Sequence, residues 1–161
     1  MKTNAARLLD KLKIQYEVKE YAVDPEDLTA QTVAAKIGLP CEQVFKTLVV
    51  IGNKTGPFLA VVAGDMQVDL KAAAKASGNS DAKLAPLKDV ESLTGYIRGG
   101  VTALGCKKPY PVFVDESMNN FDRVSISAGK RGAQIIISPA DYLRAISGKF
   151  CSISKPEDIA V

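Results

Sequence analysis

The chain has 161 residues, of which 47% are hydrophobic and 24% are charged, and its formal net charge is +3. This composition predicts one domain spanning residues 1–161 and argues against disorder, which needs low hydrophobicity and high net charge. The sequence contains no histidine, which excludes Ser-His-Asp and Cys-His catalysis, HExxH zinc sites and acid–base chemistry by imidazole. No apolar run approaches the roughly 20 residues of a membrane span, and the first residues lack a signal-peptide core, so we expect a cytoplasmic protein.

The three cysteines, Cys41, Cys106 and Cys151, are odd in number and widely spaced. This spacing gives neither a disulfide framework nor a CxxC pair, and we expect neither a metal site nor a cofactor. Cys41 and Cys151 are most simply small apolar residues. Cys106 is followed by Lys107 and Lys108, and nearby cations favour the thiolate form of cysteine.

Helices and strands are interleaved in the first half of the chain. The predicted elements are a helix over TNAARLLDKLK with Thr3 or Asn4 as N-cap, a strand over YEVKEY, a helix from about Thr29 closed by Gly38, and a β-hairpin over FKTLVVI, GNKTG and PFLAVVA. The capping residues and the αL glycine indicate the helix ends, and two β-rich runs around a turn indicate the hairpin.

The second half continues the same pattern. The predicted elements are a helix between Asp69 and Gly78, a short helix between Pro86 and Gly95, strands over YPVFVD, RVSISAG and AQIIIS, a helix with Pro139 in its first turn and Gly148 at its end, and a last strand over KFCSI. Many neighbouring strands are joined by short turns. This favours an α+β fold with a mixed, largely antiparallel sheet and helices packed around it, over a doubly wound parallel sheet.

Lys46 is a single cation inside the apolar run VFKTLVVI, on the strand face shared with Leu48 and Val50. As an edge residue it would cover apolar surface with its stem and keep the ammonium in water. As a functional residue it would donate to a carbonyl or phosphate oxygen at the rim of a pocket. The residues alone leave both interpretations open.

Two glycine-containing stretches lie in the only part of the chain with an excess of positive charge, where residues 98–131 hold six basic and three acidic side chains. RGGVTALGCKKPYP, residues 98–111, predicts an irregular loop whose backbone N–H groups could cradle an anion or a carbonyl oxygen. ISAGKRG, residues 126–132, predicts a hairpin turn with Gly129 and Gly132 at positive φ. The charge excess is either a phosphate-attracting surface or ordinary solubilising surface.

Taken together, VFKTLVV, RGGVTALGCKK and VSISAGKRGAQIIISPADYL resemble the YbaK/EbsC family of aminoacyl-tRNA deacylases, which are related to the editing domain of bacterial prolyl-tRNA synthetase. The resemblance extends over nearly the whole chain, to about residue 153. It implies a mixed, β-barrel-like sheet surrounded by helices. It also implies trans-editing hydrolysis of mischarged tRNA, chiefly Cys-tRNA(Pro), with Ala-tRNA(Pro) as the substrate of some relatives.

The resemblance also implies roles for individual residues. Catalysis by positioning and oxyanion stabilisation would fall on Lys46, Gly99, Gly100 and Ser127; substrate binding on Phe45, Thr102, Ala128 and Gly129; and tRNA phosphate contacts on Lys107, Lys108, Lys130 and Arg131. The partner would be the aminoacyl-tRNA acceptor end, and prolyl-tRNA synthetase could supply tRNA selection. Many relatives carry a Gly-x-x-Pro element in the loop, where this chain has Ala103 three residues after Gly100. We therefore expect a less preorganised loop and leave the amino-acid preference open.

Two questions about chemistry stay open at this level. The nucleophile is either a held water or the thiol of the substrate's own cysteine, while Cys106 lacks a histidine to activate it. The rival function is a non-catalytic module that binds tRNA ends or nucleotides, because positioning groups and binding groups are the same residue types.

Overall fold

The computed structural model describes residues 2–157, which form five α-helices and ten β-strands. The helices are α1 Asn4–Lys11, α2 Ala30–Ile37, α3 Leu70–Ser77, α4 Leu87–Thr94 and α5 Pro139–Ile146. The strands are β1 Glu17–Glu20, β2 Phe45–Gly52, β3 Gly56–Ala63, β4 Met66–Val68, β5 Ala82–Leu84, β6 Val112–Asp115, β7 Val124–Ser127, β8 Ala133–Ile137, β9 Lys149–Cys151 and β10 Ser154–Pro156. All predicted helices and strands are present; β4, β5 and β10 are additional.

The helix ends follow the capping residues of the sequence. The side chains of Thr3, Thr29 and Asp69 accept hydrogen bonds from the first turns of α1, α2 and α3, which satisfies backbone N–H groups that have no partner inside the helix. Gly38 closes α2 with φ +77. At the end of α5 the left-handed residue is Ser147, with φ +51, rather than the following glycine.

The strands form three sheets, with the orders β5-β2-β3-β6-β9, β1-β8-β7 and β10-β4. The β3–β6 and β6–β9 pairs are parallel and the other pairs are antiparallel, so the expected mixed, largely antiparallel α+β fold is confirmed. Within residues 2–157 no sheet closes on itself. The expected barrel-like form is therefore correct only loosely.

Strand β2 is buried on both faces. Phe45 and Val49 belong to the larger apolar core, whereas Val50 belongs to a second core that includes Ala73 and Ala74 of α3. Burying an apolar side chain of this size stabilises the fold by about 1.5–3 kcal/mol. Packing on both sides therefore fixes the β2 backbone, and with it every group that the strand presents at its edges.

One edge of β2 is paired along its whole length with β3, but the other edge is interrupted. On that edge β5 pairs only with residues 50–52, and the Val49 carbonyl accepts from the Ala85 N–H at 2.9 Å. At the other end, Val44 forms an isolated bridge to Ser125 of β7. Between them, no strand of the described chain covers residues 45–48. Because backbone groups alternate between the two edges of an antiparallel strand, the N–H and C=O of Thr47 point into this gap.

The segment that carries β10 is fixed at Asp115, the last residue of β6. The buried carboxylate accepts hydrogen bonds from the backbone N–H groups of Ile153 at 3.0 Å, Ser154 at 3.1 Å and Ser117 at 3.1 Å. Burial on its own raises the pKa of Asp115, but these hydrogen bonds outweigh burial and leave the pKa below its ordinary value of 3.8. The ionised carboxylate therefore stabilises the fold.

We predict that Asp115→Asn lowers the free energy of unfolding at pH 7 by about 1–3 kcal/mol, because one backbone donor loses its acceptor in a buried position. The folded-state pKa lies below the unfolded value, so the carboxylate stabilises the protein above pH 3.8 and this stabilisation is lost as the pH falls through the folded pKa. Urea denaturation at pH 7 and below pH 4 should show a flatter acid dependence for Asp115→Asn than for the wild type. The exposed Asp122→Asn is the control, and an unchanged acid dependence would contradict the role of Asp115.

Candidate active site

A cavity of about 430 Å³ opens at the interrupted edge of β2, a volume typical of small-molecule sites. Its walls come from β2, the start of α2, the β5–α4 connection, the loop at residues 98–101, and the β7–β8 hairpin. The principal polar and charged side chains in its lining are Gln31, Lys46, Thr47, Arg98, Ser127, Gln134 and Glu157. The remaining lining is mostly apolar.

Lys46 lies at the edge of this cavity with its ammonium held by two acceptors. Its Nζ donates to the Gly64 carbonyl at 3.2 Å and to Glu157 Oε1 at 3.1 Å. Its side chain is 28% exposed, so the cation is neither buried nor fully solvated. This placement agrees with the pocket-rim interpretation of Lys46, because a cation projecting into bulk water would not line a cavity.

Gly64 provides one of these acceptors, and only a glycine fits there. A Cβ at this position would lie 2.7 Å from Ala30 Cβ, 2.9 Å from Cys41 Sγ and 3.0 Å from the Val44 carbonyl oxygen. The Gly64 N–H donates to that same Val44 oxygen at 2.7 Å, while its own carbonyl accepts from Lys46 and from Gln31 Nε2 at 3.3 Å. The close approach therefore sets the position of the carbonyl that orients Lys46.

The glycines of the 98–100 stretch form a turn that packs on the ISAGKRG hairpin. The Gly100 N–H donates to the Ile97 carbonyl at 2.9 Å, and Gly99 has φ +88, as the third position of a type II turn requires. A Cβ on Gly100 would lie 3.0–3.1 Å from the Lys130 backbone. Arg131 Nε donates to the Arg98 carbonyl at 2.8 Å. The two glycine motifs are therefore in contact.

The predicted hairpin at ISAGKRG is confirmed, since β7 and β8 pair antiparallel and Gly129 and Gly132 have φ +94 and +88. Ser127 lines the cavity, and its Oγ accepts from the Gly129 N–H at 3.2 Å. Ala128 is buried in the core instead. Gly129 lies against Tyr96, where a Cβ would come within 2.8 Å of the ring.

The other residues expected from the sequence fall into three groups. Phe45, Lys46, Gly99 and Ser127 line the cavity; Gly100, Thr102, Ala128 and Gly129 lie outside its lining; and Lys107, Lys108, Lys130 and Arg131 lie outside it on the surface, with Arg131 partly buried. Thr102 is fully buried, and its Oγ1 accepts from the Leu104 N–H at 3.3 Å. The second group can therefore shape the cavity only through the residues in front of it.

Several residues that line the cavity or position its lining were missed in the sequence. Gly64 had a signal, because Gly-Asp between two β-rich runs is typical of a tight turn. Gln134 is an amide in an isoleucine-rich strand; it is buried, and its Oε1 accepts from Ser125 Oγ at 2.8 Å. Glu157 had no signal, because its position depends on β10, a strand of three residues.

Cys106, beside which two lysines would favour a thiolate, is held as a thiol in the structure. Its side chain is partly buried and its Sγ donates to the Thr102 carbonyl at 3.1 Å. Burial raises the pKa of the Cys106 thiol to about 11, while Lys107 and Lys108 are exposed. Over the described range, no cluster of His, Cys, Asp or Glu side chains could hold a metal ion, and no helix is long and apolar enough to cross a membrane.

These features define a protein with a cavity at an open sheet edge, lined by two cations, Lys46 and Arg98, and one carboxylate, Glu157. Residues 24–145 match the model of the aminoacyl-tRNA editing domain. The chain is 43% identical over 156 residues to EbsC of Enterococcus faecalis, by its name a candidate Cys-tRNA(Pro)/Cys-tRNA(Cys) deacylase, with 97% of this chain and 95% of EbsC covered. The chain therefore belongs to the aminoacyl-tRNA editing domain family, and the resemblance to the YbaK/EbsC proteins is confirmed.

Other relatives are more distant. The multifunctional Ser/Thr-tRNA deacylase ProXp-y of Escherichia coli K12 is 32% identical over 87 residues, which cover 53% of this chain and 52% of that protein. A crystal structure described as a candidate trans-editing enzyme for prolyl-tRNA synthetase matches with a TM-score of 0.81 and 26% identity, covering 96% of this chain and 99% of that one. The structure of hypothetical protein APE2540 matches with a TM-score of 0.87, 22% identity and coverage of 95% and 100%, which supports the fold alone.

We predict that Cys106 reacts slowly with alkylating reagents in the folded protein. A variant carrying Cys41→Ser and Cys151→Ser leaves Cys106 as the one thiol, and its iodoacetamide reaction at pH 8 should be about 100-fold slower than that of a free thiol. The rate should keep rising towards pH 11. The same variant unfolded in urea is the control, and fast alkylation of the folded protein at pH 8 would show that Cys106 is a reactive thiol.

Proposed function

We propose that this protein hydrolyses, in trans, the ester that joins a wrong amino acid to tRNA, and that Cys-tRNA(Pro) is its substrate. The observation that carries the proposal is the cavity at the β2 edge, because Lys46 Nζ is fixed in its rim by Gly64 and Glu157. Family membership and the names of EbsC and ProXp-y support the reaction class. We treat residues 1–161 as one editing domain that acts in the cytoplasm, where translation takes place.

An aminoacyl ester is already activated, so catalysis needs orientation and stabilisation of the developing oxyanion. Three residues of the cavity lining offer donors: Lys46 through Nζ, and Thr47 and Gly99 through their backbone N–H groups. The Gly100 N–H already donates to Ile97, so among the two glycines we assign the oxyanion contact to Gly99. One such donor is worth roughly 3–4 kcal/mol of transition-state stabilisation.

Substrate contacts follow from the same lining. The Oγ of Ser127 accepts from Gly129, and a hydroxyl that accepts still has its own hydrogen to donate to the substrate. Phe45 contributes apolar wall. Thr102, Ala128 and Gly129 act from behind this wall by fixing the hairpin and loop. Alanine is the first competing amino acid to test. Serine and threonine come next, because ProXp-y is named a Ser/Thr-tRNA deacylase.

The nucleophile is the substrate's own thiol or a held water. In the first case the cysteine sulfur bonds to the ester carbonyl carbon, the bond from that carbon to the tRNA oxygen breaks, and the thiol proton ends on the tRNA hydroxyl. Water then opens the thiolactone to free cysteine. This route needs no protein base, which agrees with the absence of histidine and with the raised pKa of the Cys106 thiol.

The tRNA body would be held by charge. Lys107, Lys108 and Lys130 are exposed, and Arg98 lies in the cavity lining, so phosphates of the acceptor end can reach cations from the cavity outward. We assign Arg131 to the same surface, although its Nε also fixes the turn at Arg98. Contacts to phosphates carry little sequence information. Prolyl-tRNA synthetase is therefore the proposed source of tRNA selection.

We predict that the protein releases cysteine from Cys-tRNA(Pro) and leaves Pro-tRNA(Pro) intact, and that Lys46→Ala lowers the single-turnover rate roughly 100- to 1,000-fold through the lost oxyanion donor. Ester loss from Cys-, Ala- and Pro-tRNA(Pro) is the measurement. Lys54→Ala, in the β2–β3 turn, is the matched control, and Cys106→Ser should keep full activity. If no substrate is turned over, the protein is a module that binds tRNA ends and not a deacylase. Unchanged turnover in Lys46→Ala would contradict the assignment of Lys46 to the active site.

We also predict that tRNA binding weakens steeply with salt, because basic side chains release counterions from phosphates. Replacing Lys107, Lys108 and Lys130 together with alanine should reduce the slope of log K against log[salt] by about 2–3, at roughly 0.7–0.9 per phosphate contact. Fluorescence anisotropy with a labelled acceptor-stem RNA gives the slope. The control replaces the exposed Lys11, Lys54 and Lys71, and an equal change in both triple variants would contradict a localised phosphate surface.

A further inference from the structure

Glu157 is the one acidic side chain in the cavity lining among residues 2–157. We infer that Glu157 binds the α-ammonium group of the aminoacyl end, so that the site recognises esters of amino acids whose α-amino group is unmodified. This inference rests on the proposed function, because it concerns the ligand of the same cavity.

The carboxylate is positioned by the strand that precedes it and by its own two contacts. Strand β10 pairs with β4, and the Pro156 carbonyl accepts from Gln67 Nε2 at 3.0 Å. Glu157 follows directly, with Oε1 3.1 Å from Lys46 Nζ and Oε2 3.5 Å from Gln31 Nε2. A side chain placed by a strand ladder and a cavity cation is a preorganised group, which lowers the entropy cost of ligand binding.

The carboxylate keeps capacity for a second cation. Its two oxygens offer about four acceptor positions, and Lys46 and Gln31 account for two of them. The side chain of Glu157 is 44% exposed, so a ligand can reach it through the cavity mouth. A hydrogen bond between an ammonium and a carboxylate is also among the stronger ones in proteins.

The spacing of the two charges matches the chemistry of the ligand. In an aminoacyl ester the ammonium nitrogen and the carbonyl oxygen sit on adjacent carbons, roughly 3 Å apart by standard bond lengths. Lys46 Nζ and Glu157 Oε1 are 3.1 Å apart. A ligand whose carbonyl oxygen accepts from Lys46 therefore brings its ammonium next to Glu157.

This pairing has a consequence for specificity. An ester whose α-nitrogen is acylated, or whose ammonium is replaced by a hydroxyl, has no cation for Glu157. Glu157 keeps Lys46 as its ionic partner with either ligand, but only the ammonium ester gains a charge-assisted hydrogen bond to the carboxylate. This difference gives discrimination that an apolar pocket cannot reach with one atom. The site would therefore reject N-blocked aminoacyl ends.

A binding experiment separates this role from simple orientation of Lys46. The probe is 3′-alanylamino-3′-deoxyadenosine, a non-hydrolysable amide analogue of the aminoacylated terminal adenosine, and its isosteric partner is the 3′-lactylamino compound, with a hydroxyl for the ammonium. By calorimetry, the wild type should bind the alanyl probe about tenfold more tightly than the lactyl probe. Glu157→Gln should reduce this ratio to less than about twofold, because the alanyl probe loses far more affinity than the lactyl probe. Glu116→Gln, outside the cavity, is the matched control.

Three results would overturn the inference: a wild type that binds neither probe or shows no preference, a Glu157→Gln variant that keeps the tenfold ratio, and one that weakens both probes equally. The last result would assign Glu157 to the orientation of Lys46 alone. Because the probes are not hydrolysed, their binding is independent of turnover. Failure of the deacylation assay would therefore reject the proposed reaction and not the ammonium site. Failure of the binding experiment would reject the ammonium site and not the reaction.

Discussion

The interrupted pairing of β2 is the constraint on which the site depends. A strand edge with unpaired N–H and C=O groups is normally covered or paired, because bare edges promote aggregation. Here the edge between Val44 and Val49 is left open to a cavity rather than to another strand. The walls around it are the start of α2, the turn at residues 98–100 and the β7–β8 hairpin. A backbone that is packed against a core on each face thereby presents polar groups to the cavity without having to move.

Lys46 depends on the same arrangement. Its strand is buried on both faces, so the position of its Cα is fixed by the cores around Phe45 and Val50. Its ammonium is then directed by Gly64, whose close approach to Ala30 excludes any side chain. Preorganised charges of this kind stabilise a developing oxyanion without the reorganisation that water would need. An enzyme without histidine can act through positioning and electrostatic stabilisation alone when its substrate is an activated ester.

Much of the fold was predictable from local signals, since caps such as Thr29 and Gly38 mark helix ends and the β2–β3 hairpin has a turn-rich centre. The three-residue strands β4, β5 and β10 were not predicted, because a periodic pattern cannot be detected over so short a run. The resemblance located Lys46, Gly99 and Ser127. Glu157 reaches the cavity only through the tertiary pairing of β10 with β4, so no local pattern could indicate it. The burial that raises the pKa of the Cys106 thiol is likewise a tertiary effect, which its neighbouring lysines do not reveal.

The central claim is that the β2-edge cavity receives the aminoacyl end of the substrate. The most direct test is a ¹H–¹⁵N correlation spectrum of the protein titrated with 3′-alanylamino-3′-deoxyadenosine. The account predicts that the largest amide shifts fall on Thr47, Gly99 and Ser127, which line the cavity. Shifts confined to the open polar hollow around Asp115 and Ser152, with the cavity amides unchanged at saturation, would contradict it.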